Sequence, residues 1–355
     1  VSAETALVTG ASGHLGANLV RELLQHGYRV VALVRPTSDL SGLKGLDVEL
    51  RQGDVMDREG LEAAAAGCQL IFHAAAVFKF WVKDPEEVLG PALEGTRNIF
   101  AAAARTHPRR IVYTSSCAAV GTSTDREALR TEDDWAESPH NIYHQAKLES
   151  EKLAHRLAGE TQIPTVVICP TGLLGAHDHR VTPLMRLVRD WVNRTTVTWE
   201  GGINCIDVAD AARAHRLAAE RGRPGARYIA AGDNIHVPDV SGILERLVGR
   251  GPRHIQLPYP LATGAAHLFE LCARIRGIDP LISRSLHREF TRRYQFYDAT
   301  RARSELGWTC KPFEGALRGA IAWLLHIGAL KPRVAAKIAD RFPPESAWPA
   351  APTSR

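Results

Sequence analysis

The chain has 355 residues, enough for a buried sheet core with a smaller second lobe, because single hydrophobic cores stop growing at roughly 250 to 300 residues. Hydrophobic residues make up 45% and charged residues 23%, which is globular composition and excludes long disorder. The formal net charge is only +5 and its Lys and Arg are dispersed, so a nucleic-acid partner is not expected.

The first half alternates β-rich runs with helical patterns. TALVTG (5–10) reads as a strand, HLGANLVRELLQHG (14–27) as a helix closed by Gly27, and YRVVALVR (28–35) as a second strand. CQLIFHAAA (68–76), RRIVYTSS (109–116) and IPTVVICP (163–170) are further strands, and LEGTRNIFAAAARTH (93–107) is a helix stopped by Pro108. These strands are continuously apolar, as in a parallel sheet covered by helices on both faces.

The expected fold is therefore α/β, a Rossmann-type doubly wound parallel sheet with a smaller C-terminal α/β substrate lobe. A dinucleotide-binding domain over residues 1–170, with returning segments around 203–230, precedes a substrate lobe mainly over 171–330. Within that lobe PGARYIAAG (224–232) reads as a late strand and VPDVSGILERLVG (237–249) as a helix. Residues 331–355, rich in Pro and Ala, read as a peripheral or mobile tail.

The chain opens almost directly on a strand, and its apolar run AIAWLLHIGAL (320–330) is too short to span a bilayer. A cytoplasmic location without a membrane span is expected. The six cysteines, Cys68, Cys117, Cys169, Cys205, Cys272 and Cys310, lack ligand or CxxC spacing and read as free thiols in a reducing compartment. HDH (177–179) reads as a polar loop, and no metal is expected.

The stretch TGASGHLG (9–16) joins the first strand to the first helix, the context a dinucleotide cradle requires. Gly10 would make the tight turn, Gly13 would let the backbone approach a pyrophosphate, and Gly16 would allow close helix packing. Ser12, His14 and Leu15 complete that loop. Asp54 and Val55 in GDVMD (53–57) are placed for the adenine edge, and Ala74, Ala75 and Ala76 in HAAA (73–76) give a small-residue strand end. In YHQAK (143–147), Tyr143 and Lys147 fall on one helix face, so an ammonium and an oxidised nicotinamide together could favour the phenolate of a general acid/base.

With these motifs the chain resembles the extended short-chain dehydrogenase/reductase family from about residue 5 to about 328. VRPTSD (34–39), KDPEEVLGPALEGTRN (83–98) and ARSELGW (302–308) resemble dihydroflavonol reductase-like, 3β-hydroxysteroid dehydrogenase-like and hopanoid-associated epimerase-like members. The resemblance implies that Ser116 in TSSCAAVG (114–121) hydrogen-bonds the reacting oxygen, with Ser115 the near alternative, and that Lys147 holds the nicotinamide ribose. It also implies that Pro170 lies beside the nicotinamide amide, with Thr114, Gly172 and Leu173 lining the cofactor. A homodimer is common in the family.

Arg35, at the end of the second strand, favours a 2′-phosphate and hence NADP(H); NAD(H) is the alternative, with Asp39 serving the ribose. Sugar-nucleotide members usually carry Arg and Asn where Cys169 and Gly172 stand, and an Arg and a His where Ile203 and Asp207 stand. The expected substrate is therefore a hydrophobic carbonyl compound of secondary-metabolite or sterol-like type, lined by Phe78, Phe80, Trp81 and Cys117. The basic run SRSLHREFTRR (283–293) reads as a solvated face or a peripheral contact with anionic lipid. An epimerase or dehydratase with tightly bound NAD, or a dinucleotide-sensing protein without chemistry, are the alternative functions.

Overall fold

Thr5–Thr9 (β1) is buried at all five positions, which demands a neighbouring strand on each side and helices above and below. The computed structural model, describing residues 3–82, 84–249, 254–276, 283–343 and 348, supplies both. After β1 the chain forms His14–Gln25 (α1), Arg29–Val34 (β2), Glu49–Gln52 (β3), Arg58–Ala65 (α2) and Leu70–His73 (β4). Then come Glu86–Thr106 (α3), Arg110–Thr114 (β5), Cys117–Val120 (α4), Ile142–Thr161 (α5) and Thr165–Pro170 (β6).

The later elements are Gly172–Leu174 (β7), Pro183–Asn193 (α6), Thr196–Thr198 (β8), Gly202–Asp207 (β9) and Val208–Arg221 (α7). Arg227–Ala230 (β10), Asn234–His236 (β11), Val240–Val248 (α8), His254–Gln256 (β12) and Tyr259–Arg276 (α9) follow. Arg284–Phe290 (α10), Thr300–Leu306 (α11), Phe313–His326 (α12) and Pro332–Ile338 (α13) complete the described elements.

The main sheet has seven strands in the order β10-β6-β5-β4-β1-β2-β3, all parallel. The order reverses between β1 and β4, so the crevice beyond their carboxyl ends is the switch point where ligands of such sheets bind. α1 packs with α7 on one face, while α3 packs with α2 and α5 on the other. Punctuation follows local chemistry: Gly27 takes a left-handed φ of 79° after α1, and His107 one of 49° before Pro108.

The second lobe has its own core, in which Trp323, Phe313, Leu317 and Ile321 of α12 meet Met185, Val188 and Trp191 of α6. Its small sheets run β11-β9-β7 and β12-β8. Of the segment expected to be a peripheral or mobile tail, Ile338 and Phe342 are buried in this core and the Trp348 ring lies 5.4 Å from that of Trp323. The remaining tail residues, 344–347 and 349–355, lie outside the described residues.

Two histidines are sealed neutral into the main core. The His215 ring bridges the Ala211 carbonyl (2.8 Å) and the Thr114 hydroxyl (2.9 Å), and burial pushes its pKa down to about 4. Burial, aided by Lys147, pushes His73 down to about 3. The unfolded chain therefore binds more protons than the folded one below about pH 6.5, and acidification removes stability. Each histidine is expected to cost about 1.4 kcal/mol per pH unit between roughly 6 and 4.5. Denaturant unfolding across that window checks this, and a flat stability profile contradicts it.

Candidate active site

β1 ends on a turn that only glycine fits. Gly10 has φ of +68°, and a Cβ there would stand 2.8 Å from the Ala74 carbonyl and the Ala75 nitrogen at the end of β4. A Cβ on Gly16 would run into the Gly10 carbonyl, so α1 starts as close to the loop as backbone atoms permit. Gly13 is the N-cap of α1 and carries no side chain to cap it. The first-turn N–H groups, including those of His14, Leu15 and Gly16, therefore present a positive end to an anion without a competing carboxylate or hydroxyl. A cradle that a methyl group would fill, facing a bare helix N-terminus, fits a pyrophosphate.

Thr9 and His73 pin the ends of β1 and β4 together through Oγ1 and Nδ1 at 3.0 Å, and the Ala75 N–H donates to the same Thr9 oxygen. His14 turns its ring toward the second lobe, 3.9 Å from Asp178, so its place in the cradle is held by its backbone. Ser12 and Leu15 are half-buried beside it.

At the end of β2 a cleft of about 490 Å³ is lined by Arg35, Thr37, Gln52, Gly53, Asp54 and Asp57. The exposed Arg35 guanidinium stands 4.0 Å from the Asp54 carboxylate, whose other oxygen accepts from the Met56 N–H. Asp39 is turned into its own loop, where its carboxylate accepts from both the hydroxyl and the N–H of Ser41, and these bonds hold its pKa below the usual range. Val55 gives its carbonyl to Asn98 of α3 (3.0 Å).

Helix α5 carries Tyr143 and Lys147. Asn141 caps it by accepting the His144 N–H, and positions 143, 147 and 151 then follow at one-turn spacing. The Ser116 side chain lies near enough to Tyr143 to draw its pKa down, while Ser115 donates to the fully buried Glu151. Geometry thus brings Ser116, not Ser115, to the phenol. Lys147 donates to the Thr114 carbonyl at 3.0 Å, and burial pushes its ammonium down to about 8.

In the free protein the phenol is held high. Burial pushes Tyr143 up to about 12, and the neighbouring Ser116 side chain only moderates this. The causes that move it do not include Lys147, whose charge is spent on Thr114 and Glu151. A phenol held this high is a proton donor at neutral pH, the form a carbonyl reduction consumes.

Aromatic rings flank it. Phe78 and Phe80 meet the Tyr143 ring edge-on at 4.8 and 5.5 Å, and Phe290 of α10 stands 6.2 Å from Phe80. Trp81 is half-buried and joins none of these ring contacts. Cys117 opens α4 on the sheet side, with its thiol buried and directed to the Cys169 carbonyl (3.2 Å). Pro170 ends β6 opposite Ala230, and Gly172 and Leu173 open β7 just beyond it.

Sequence reasoning missed Phe290 and its neighbour Glu289, since both sit inside a basic run without a motif. Glu289 is buried and bonds the His144 ring (2.9 Å), the His140 N–H (3.0 Å) and the Asn141 amide (3.3 Å). Burial alone would raise its pKa, but these partners outweigh it and hold the carboxyl low. A residue of the second lobe thereby fixes the N-terminus of the helix that bears Tyr143.

A parallel sheet with a glycine cradle at its switch point, and a Tyr/Lys pair on the adjoining helix, defines a nicotinamide-dinucleotide oxidoreductase. The sequence model of the NAD dependent epimerase/dehydratase family matches residues 6–231, and the chain belongs to that family. It is similar to a Synechocystis sp. protein provisionally named dihydroflavonol 4-reductase, at 33% identity with 93% of this chain and 97% of that one covered. It is also similar to the sterol demethylase protein B of Methylococcus capsulatus, at 30% identity with 92% and 100% covered. Among solved structures, the crystal structure of gox2253 superposes with a TM-score of 0.81 at 33% identity, covering 92% of this chain and all of that one. The chain is an NAD(P)-dependent oxidoreductase acting on small molecules.

Proposed function

We propose that the protein reduces a ketone or aldehyde of a hydrophobic small molecule, with NADPH as the donor. The observation that carries this reading is the Tyr143 ring set edge-on against Phe78 and Phe80, one turn from Lys147 on α5 and close to Ser116. Bound dinucleotide supplies hydride to the carbonyl carbon. Tyr143 gives its proton to the carbonyl oxygen, and Ser116 hydrogen-bonds that oxygen as charge develops on it. Lys147, anchored on Thr114, orients the ribose, while the α1 N-terminus and the Gly10–Gly16 turn hold the pyrophosphate.

Two features support the substrate class. A Cβ on Gly172 would stand 2.9 Å from Cys205 Sγ and 3.0 Å from Leu184, which leaves no room for the diphosphate-binding Asn of sugar-nucleotide enzymes. Asp207, where their His stands, is committed to capping α7 and to an ion pair with Lys311 at 2.9 Å. The names of the two relatives, a dihydroflavonol reductase and a sterol demethylase component, also fit a polycyclic substrate.

NADPH oxidation with a panel of aromatic and polycyclic ketones and with nucleotide sugars tests the proposal. Turnover is expected with the ketones. Arg35→Ala is expected to raise the KM for NADPH by about 10- to 150-fold and barely change that for NADH, the loss of one charge-assisted bond worth about 1.5 to 3 kcal/mol. Equal effects on both cofactors overturn the NADP(H) assignment. Turnover of a nucleotide sugar without added dinucleotide favours the epimerase instead.

A further inference from the structure

Helix α9 is inside out. A surface helix ordinarily turns its large apolar side chains to the core and its polar ones to water. Here the side packed on the protein consists of Ala262, Ala266, Ala273 and the carboxylate of Glu270, all buried. The opposite side presents Leu261, Leu268 and Ile275 at seven-residue spacing, exposed by 63%, 59% and 77%, flanked by Leu271 at 56%. Contiguous apolar patches of this kind mark a contact surface.

The surroundings specify the occupant by charge. Between residues 259 and 293 the sequence has six Arg against three acids. Glu270 and Glu289 are buried; Arg284 is exposed but paired with Glu270 (2.9 Å) and Arg292 with Glu200 (2.7 Å), while Arg288 of α10 is exposed with no ion pair among the described residues. An exposed apolar stripe beside an excess of arginines matches the interface of an anionic bilayer, where apolar side chains enter the acyl boundary and cations meet headgroups. A symmetric pairing of two copies would instead set the same arginine-rich rim against itself.

We propose that α9, with the arginines of α10, docks the protein on anionic lipid surfaces. No helix among the described residues is long and apolar enough to cross a membrane, so the contact is peripheral. The site geometry gives the contact a use. α9 is tied to α10 by Thr263 with His287 (2.9 Å) and Glu270 with Arg284 (2.9 Å), and α10 ends in Phe290 beside the aromatic rings that flank Tyr143. A hydrophobic ligand leaving the bilayer would meet the site one helix away.

The test is flotation of the full chain with vesicles of phosphatidylcholine alone or with about one-third phosphatidylserine. Co-flotation with the anionic vesicles is expected, weakened by salt. Leu268→Glu/Ile275→Glu is expected to lower it at least about tenfold, and Arg288→Glu by several-fold, with turnover of a water-miscible ketone unchanged because these side chains face away from the site. Failure of the wild type to float with either vesicle, or equal flotation of the double variant, overturns the proposal. So does light scattering that shows a lipid-free dimer which the double variant splits, which would assign the stripe to a second copy.

Discussion

Tyr143→Phe is expected to lower kcat for carbonyl reduction by about 10²- to 10⁴-fold, the range that a positioned proton donor contributes. The substitution keeps the ring and its edge-on contacts with Phe78 and Phe80, so stability and dinucleotide KM should hardly move. Because burial pushes this phenol up to about 12, it stays protonated throughout the neutral range, and Tyr143 itself does not limit the reaction below about pH 8. Lys147, pushed down to about 8, loses its charge above that pH, so any alkaline decline in kcat/KM traces to the ammonium. Steady-state rates on the best ketone of the panel decide the matter: a Phe variant as fast as the wild type removes Tyr143 from the chemistry.

Arg227→Met is expected to cost about 3 to 5 kcal/mol of folding stability, because it strands a carboxylate in the core. Glu151 is fully buried one turn beyond Lys147 and is paired with Arg227 Nε at 2.5 Å. The guanidinium also donates to the Glu132 and Asp134 carbonyls, both at 2.8 Å, and stacks 3.8 Å from the centre of the Trp135 ring. Removing the charge at both positions, in Arg227→Met/Glu151→Gln, should recover more than half of the loss, since the penalty arises from the unpaired charge and not from the missing attraction. Denaturant unfolding of the three proteins measures this. A single variant within about 1 kcal/mol of wild type would mean that Glu151 takes up a proton at little cost.

The parts of the molecule that local rules govern were legible in the sequence. The strand, turn and helix around Gly10 to Gly16, the left-handed stop at Gly27 and the four-residue spacing of Tyr143 and Lys147 each follow from backbone sterics or helix periodicity. What escaped was set by partners distant along the chain. Strand β3 (Glu49-Leu50-Arg51-Gln52) is polar because it is the sheet edge, so it lacks an apolar signature. Helix α13 hides among Pro and Ala, and only its packing through Ile338 reveals it. The direction of the Tyr143 shift depends on burial by residues distant along the chain, Phe78 and Phe80 among them. Glu289 reaches α5 across 145 residues of sequence, and no spacing rule covers that distance.

Glu289 and Phe290 are consecutive, yet one braces the start of the helix that bears Tyr143 and the other adjoins the aromatic rings beside it. On the proposed function, ligand preference and proton-donor alignment would be encoded in the same short helix. An engineer who transplants that helix from another reductase to change the accepted ketone would also exchange the brace. Chimaeras at this junction should keep Glu289 with His140, Asn141 and His144 as one inherited block, and vary Phe290 alone.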